Sequence, residues 1–284
     1  MREERKGLSA YLRRLLGQRN FTIGALLLAF LLFLALFAPW LSSFDPIKNN
    51  LPGRLKPPGG AHFFGTDEYG RDLYSRVLYG SRISLMVGVV AVSIGATIGT
   101  TLGMIAGFFG GWVDRFLSRL FDVFLAFPEL LMALTVMAIL GPNLTNAMMA
   151  VGISVSPRFA RLIRGTVLSI KARDYVEAAR ATGTKSARTL IRHILPNCLS
   201  PLIVLATLRI GAAILTESNL SFIGLGVQPP TPSWGGTISA GREFIQEAPW
   251  LGFIPGFAIL LAVMGFNLMG EGLRDFFDPR LRQR

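Results

Sequence analysis

The sequence predicts an all-α membrane protein of six transmembrane helices with both termini on the inner side. Three observations carry this. Hydrophobic residues make up 51% of the chain and charged ones 16%, and the charges gather between long apolar runs. A soluble chain would spread them over its surface. Six of the runs, at 22–42, 83–107, 119–140, 144–162, 199–221 and 251–271, approach the roughly 20 residues that cross a bilayer as a helix. With the N-terminus inside, six Lys/Arg precede the first run, two lie in 110–120, nine from Arg158 to Arg192 and four after the last run. The outer segments hold six in the first loop and Arg242 in the last, which is a positive-inside distribution.

That distribution also disposes of the net charge of +12 as a nucleic-acid signal, because the basic excess is explained by topology. The lone Cys198 can form no internal disulfide and has no metal-ligand spacing around it.

Residues 1–21 form a basic inner segment. The following run is long enough to span and has no small-x-small cleavage site after it, so 22–42 reads as an uncleaved anchor. Residues 43–82 are an outer loop whose Pro46, Pro52, Pro57 and Pro58 resist regular structure. Its end changes character: Leu73, Tyr74, Val77 and Leu78 share a helical face, which predicts an interfacial helix feeding into the second span. Residues 83–271 hold the five remaining spans, with a long inner loop at 163–198, and 272–284 is an inner tail that Gly270, Gly272 and Pro279 separate from the last span.

In the second span Gly95, Gly99, Gly103 and Gly107 recur every fourth residue and give one smooth helical face. Such a face lets another backbone come close, within this chain or in a partner subunit. Spans three and five carry Asp122, Glu129, Arg209 and Glu217, which cost free energy in lipid. Two readings stay open: mutual pairing or snorkelling near the helix ends, or a polar lining for a translocation route. The Gly- and Pro-rich loop from Asn219 to Trp250 is too apolar for a free linker, so it is expected to fold back against the outer side.

The inner segment Asp174 to Pro196 stands out as polar and basic between apolar runs. It reads as two short helices. Asp174 and Glu177 offer a capping-box-like start, Ala178, Ala179 and Ala181 leave a flat surface, and Gly183 provides the stop. Pro196 ends the second helix and blocks continuation into the next apolar run. A small-residue helix at a membrane edge suits docking of another protein. Gly183-Thr184-Lys185-Ser186 lacks the glycines of a phosphate loop, and the two histidines, His62 and His193, fall on opposite sides. No enzyme site is present in the pattern, and no metal site.

Glu177-Ala178-Ala179, Gly183 and Leu195-Pro196 resemble the EAA loop of ABC-importer permeases, with His193 where the general pattern has an aliphatic residue. Phe64-Gly65-Thr66-Asp67 with Gly70-Arg71-Asp72, the run Leu220 to Gly226, Gln228-Pro229-Pro230, and Phe266-Asn267-Leu268 with Gly272-Leu273-Arg274-Asp275 and Asp278-Pro279 are similar to the dipeptide/oligopeptide/nickel branch, second (C-type) subunit. The resemblance covers roughly residues 20 to 283. It implies a type I ABC-importer permease bundle in a bacterial or archaeal cell membrane. It also implies a heterodimer with a homologous permease, two ABC ATPase subunits that bind ATP and Mg, and an extracytoplasmic solute-binding protein. By the same resemblance Glu177 through Gly183 is the coupling helix, and the chain itself needs no cofactor. The competing class is an ion-gradient-driven secondary transporter, which predicts inverted repeats and paired broken helices.

Overall fold

The computed structural model describes residues 15–277; the basic residues of 1–14, with Asp278, Pro279, Arg280 and Arg282, lie outside the described residues. Among the described residues there is no strand, only two isolated bridges in the loop before residue 73.

Helix α1 (Arg19–Leu41) is apolar around its whole circumference, and most of its surface is exposed, as expected of a lipid-facing helix. It docks on the C-terminal helix α10 (Trp250–Phe277) through close backbone contact. A Cβ at Gly24 would stand 2.6 Å from the Gly265 carbonyl oxygen, and one at Gly272 would stand 2.5 Å from the Phe21 nitrogen. Pro39 lies inside α1 and cannot donate to the Ala35 carbonyl. Arg82 supplies the missing donor, its Nε meeting Ala35 O at 2.5 Å and its Nη2 meeting Leu36 O at 3.0 Å.

Arg82 belongs to α2 (Leu73–Phe109), a single helix of 37 residues, roughly 55 Å long at 1.5 Å per residue. The expected interfacial helix is therefore not a separate element: residues 73–82 are the first turns of α2, and Leu73, Arg76 and Leu78 are buried. Asp72 caps it, accepting from the Ser75 amide at 2.8 Å and the Ser75 hydroxyl at 2.6 Å.

Helices α3 (Gly111–Ala126) and α4 (Glu129–Leu140) meet at a 98° bend, so the expected straight span at 119–140 is broken. Pro128 is the cause: it forces the preceding Phe127 into an extended conformation, φ −88° and ψ 141°. Helix α5 (Leu144–Lys171) packs along α2. Gly95, Gly99 and Gly103 face its backbone, where added Cβ atoms would lie 2.7, 2.3 and 2.5 Å from the carbonyl oxygens of Gly152, Ser156 and Ala160; Gly107 faces Arg164 O at 3.0 Å. The glycine face is filled by this chain's own α5. Pro157 inside α5 frees the Ile153 carbonyl, which takes the Ser156 hydroxyl at 2.9 Å instead.

After the short α6 (Asp174–Ala181), α7 (Ser186–Thr189) runs through a π-turn (Leu190–Ile194) into α8 (Leu195–Phe222). Here the sequence expectation fails, since Pro196 does not end the helix. The π-turn widens the hydrogen-bond ladder just before the proline, with Leu195 N donating to Leu190 O. Pro196 then sits in the first turn of α8, where a proline is tolerated. The chain from Ser186 to Phe222 forms one unit long and apolar enough to cross a membrane. A folded-back segment with α9 (Trp234–Gly241) leads to α10.

Among the described residues four units are long and apolar enough to cross a membrane: α1, α2, α7–α8 and α10. The bent pair α3–α4 makes a fifth if counted as one span.

Candidate functional site

One end of the bundle presents α6. With eight residues it is too short to be stable alone, and one side chain holds it down. Val176 is fully buried in a cluster with Phe108, Ile163, Val167, Ile170, Ile194 and Cys198. Tyr175 Oη lies 3.3 Å from Asn197 Nδ2, a second tie to α8. Around this anchor Asp174, Tyr175, Glu177, Ala178, Ala181 and Gly183 are exposed, while Ala179 is half-buried. The cap reading shifts by one residue. Arg173 rather than Asp174 occupies the cap position, because its carbonyl accepts from the Val176 and Glu177 amides at 2.9 and 3.2 Å. That leaves Asp174 and Glu177 as carboxylates in the first turn, where the helix dipole favours them. Gly183 takes φ +80°, and the Thr184 amide turns back to Ala179 O at 3.1 Å to close the helix. Leu195 is half-buried and Pro196 exposed, and both lie in the first turn of α8, beyond the π-turn from α6. A cavity of about 530 Å³ beside α6 is lined by Arg161, Gly165, Ser169, Arg173 and Asn197.

Midway along the bundle, three arginines on α5 face three acids across the bend. Arg158 pairs with Glu129, Arg161 with Asp122 at 2.6 Å, and Arg164 with Asp114 through two contacts of 2.5 and 2.7 Å. Arg209 on α8 reaches the same Glu129 oxygen as Arg158, at 3.8 Å. The sequence reading named Asp122, Glu129 and Arg209 but missed Asp114 and the arginines. Their signal was present in the i, i+3 spacing of 158, 161 and 164, which places them on one helical face. Asp122 is not buried: its side chain is 57% exposed, because the bend at Pro128 carries the end of α3 away from the core. Arg209 and Glu217 do not pair, since Arg209 turns to Glu129 and Glu217 to Ser221.

Glu217 is fully buried toward the C-terminal end of α8. Its Oε1 accepts from the Ser221 hydroxyl at 2.6 Å, and that hydroxyl oxygen accepts from the Val227 amide at 3.1 Å. This relay pins the turn after α8, which is further tied by Leu225 N and Gly226 N to Leu220 O. The Gly226 position has room for no side chain, as a Cβ would fall 2.0 Å from Ser221 Oγ.

Above it the segment 42–72 folds into a cap. Asp67 accepts from the Tyr69 and Arg71 amides and from Arg71 Nε at 2.6 Å, with Arg76 Nε at 3.4 Å. His62 Nδ1 lies 2.9 Å from Asp72 Oδ1. Trp250 Nε1 donates to Thr66 O at 3.2 Å and ties the cap to α10. Burial, and next the neighbouring Asp67 charge, push the Glu68 carboxyl above the usual carboxylate range; its backbone hydrogen bond, Arg71 and Arg76 oppose the shift. Thus Gly-Thr-Asp and Gly-Arg-Asp at 65–67 and 70–72 serve the fold of this cap.

A polytopic bundle with no catalytic constellation among its described residues, a short exposed helix at one end and a folded cap at the other has the form of a transporter's membrane component. Residues 99–283 match the family described as the binding-protein-dependent transport system inner membrane component, and residues 9–58 match the N-terminal TM domain of oligopeptide transport permease C. The chain belongs to the binding-protein-dependent transport family and is a multi-pass permease of a bacterial membrane. It is 47% identical over 260 residues to the dipeptide transport system permease protein DppC of Alkalihalophilus pseudofirmus, covering 92% of this chain and 86% of the relative. It is 45% identical to the di/tripeptide permease DppC of Pseudomonas aeruginosa (91% and 88% covered) and 44% identical to the glutathione permease GsiD of Escherichia coli (95% and 89%). The fold is similar to that in an inward-facing crystal form of the MetNI methionine ABC transporter, with TM-score 0.59, 18% identity, and 72% and 97% of the two chains covered. An amino acid ABC transporter gives TM-score 0.51 at 21% identity, with 72% and 94% covered. These matches lend the ion-gradient alternative no support.

Proposed function

We propose that this chain is the C-type permease subunit of an ATP-driven importer of di- or oligopeptides or a related small solute, and that α6 receives the force. In this reading the chain pairs with a homologous permease. Two ATPase subunits, which hold ATP and Mg, dock on the inner side, and a binding protein delivers cargo outside. Counting α3–α4 as one span and α5 as another brings the four apolar units to six, with both ends inside. The observation that carries the reading is the combination at α6: an exposed, nearly flat helix with two carboxylates, pinned at its back by the buried Val176. Glu177 offers a charge-assisted contact to a cation on the ATPase. The pin passes any displacement of α6 directly into α5 and α8, which would rock the bundle between two packings. Peptide cargo is supported by the names of the relatives, three of which span dipeptides, tripeptides and glutathione.

Reconstitution tests this. The permease pair, ATPases and loaded binding protein are placed in proteoliposomes, and uptake of labelled dialanine is followed with and without ATP. Glu177→Lys and Gly183→Val are expected to leave membrane insertion intact while abolishing ATPase co-purification and uptake. Uptake that persists without the ATPases would overturn the proposal.

A further inference from the structure

The charge cluster between α4, α5 and α8 is unbalanced. Arg158 is the fifteenth residue of the 28 in α5, and Arg209 is the fifteenth of the 28 in α8. Each guanidinium therefore lies about 20 Å along its own helix from either end, and Arg209 is also central in the expected span 199–221. Their one shared partner is Glu129, whose Oε2 faces both. Two cations and one carboxylate leave an excess positive charge. The Arg209 contact, at 3.8 Å, is longer than a hydrogen bond. No other acid on these helices is available among the described residues: Asp122 is taken by Arg161, Asp114 by Arg164, and Glu217 is bonded to Ser221. Neither guanidinium is closed off, with Arg158 and Arg209 side chains 32% and 29% exposed.

An uncompensated guanidinium at the centre of a membrane bundle is costly unless it faces water or an anion. Arginine forms bidentate pairs with carboxylates in preference to other anions of that size except phosphate. We propose that Arg209, held by Glu129 and supported by Arg158, contacts the C-terminal carboxylate of the peptide as it crosses. The cluster would then be a charge-selective point on the path for free peptides. This rests on the peptide reading above. The same carboxylate chemistry could come from an acidic side chain on the second permease subunit, and the experiment separates the two sources.

The permease pair with its ATPases is placed in nanodiscs, without binding protein, both nucleotide-free and with a non-hydrolysable ATP analogue. Saturation-transfer NMR then titrates dialanine against dialanine amide. The wild type is expected to bind the free acid about tenfold more tightly than the amide in at least one state, the scale of a charged hydrogen bond. Arg209→Gln should erase that preference, and Arg209→Lys, which keeps the charge, should restore part of it. Equal binding of acid and amide, or a preference untouched by Arg209→Gln, overturns the proposal. So does loss of the second permease subunit on purification of Arg209→Gln, which would assign the arginine to the subunit interface. The peptide reading is scored separately, by dialanine uptake into proteoliposomes of the complete wild-type importer. Uptake without acid preference refutes only the carboxylate contact, and absence of uptake refutes the peptide cargo itself.

Discussion

Val176→Ala should loosen α6 without unfolding the permease. The substitution removes two methyl groups from a fully buried position. At about 0.8 kcal/mol each, that amounts to about 1.6 kcal/mol, and any cavity left unfilled adds to it. Few other contacts back up the lost one, since the flanking Tyr175, Glu177 and Ala178 are exposed and Tyr175 has a single long hydrogen bond. The opening equilibrium of α6 should therefore rise about fifteenfold. Hydrogen exchange with mass spectrometry on the purified permease reads this directly, as faster exchange in the segment 174–184 with the segments of α2 and α5 unchanged. In proteoliposomes of the importer reconstituted with this variant, less solute should be taken up per ATP that the ATPases hydrolyse, because the pin between helix and bundle is weakened. Unchanged exchange in 174–184 would refute the anchoring argument. Uniformly faster exchange throughout the chain would show instead that Val176 supports the whole bundle.

Gly99→Leu should lower the melting temperature in detergent, because its Cβ would lie 2.3 Å from the Ser156 carbonyl. Overpacking of this kind costs about 1–3 kcal/mol, and Gly165→Ala, which meets open space, should change little. Arg82→Gln should destabilise α1 against the core by about 1–3 kcal/mol, and Pro39→Ala should recover most of that by restoring a backbone donor to Ala35; a thermal double-mutant cycle without coupling would refute the pairing. Glu68 is raised above its unfolded value, so the folded state holds the extra proton in the window between the two. Stability therefore falls as pH rises through that window, and Glu68→Gln should flatten this part of the Tm-against-pH curve.

Among the described residues, apolar run length located the four units long and apolar enough to cross and the bent pair α3–α4, because a spanning segment needs such a run. The glycine period in α2 was likewise legible as a packing face, although its partner within the chain was not, since a smooth face does not say what covers it. The features that escaped were consequences of prolines in context. Pro128 breaks a span, whereas Pro196, sixty-eight residues later, sits harmlessly after a π-turn, and nothing in the residue itself distinguishes the two. The arginines of α5 were counted as topology markers, and only the placement of α3 and α4 beside α5 reveals their acids. Val176 was hidden in the same way. It is the one large aliphatic residue in Asp-Tyr-Val-Glu-Ala-Ala-Arg-Ala, and its role depends on the pocket built by α5 and α8.

The contact between Arg82 and α1 bears on how the chain enters the membrane. As synthesis proceeds, the first helix reaches the bilayer with its Ala35 carbonyl lacking a donor, and hydrocarbon supplies none. The second helix arrives with an arginine whose insertion alone would also be unfavourable. Each segment carries the remedy for the other's defect, since the guanidinium and the bare carbonyl cancel when the two meet. Insertion of the pair together is therefore expected to be more favourable than the sum of the separate events.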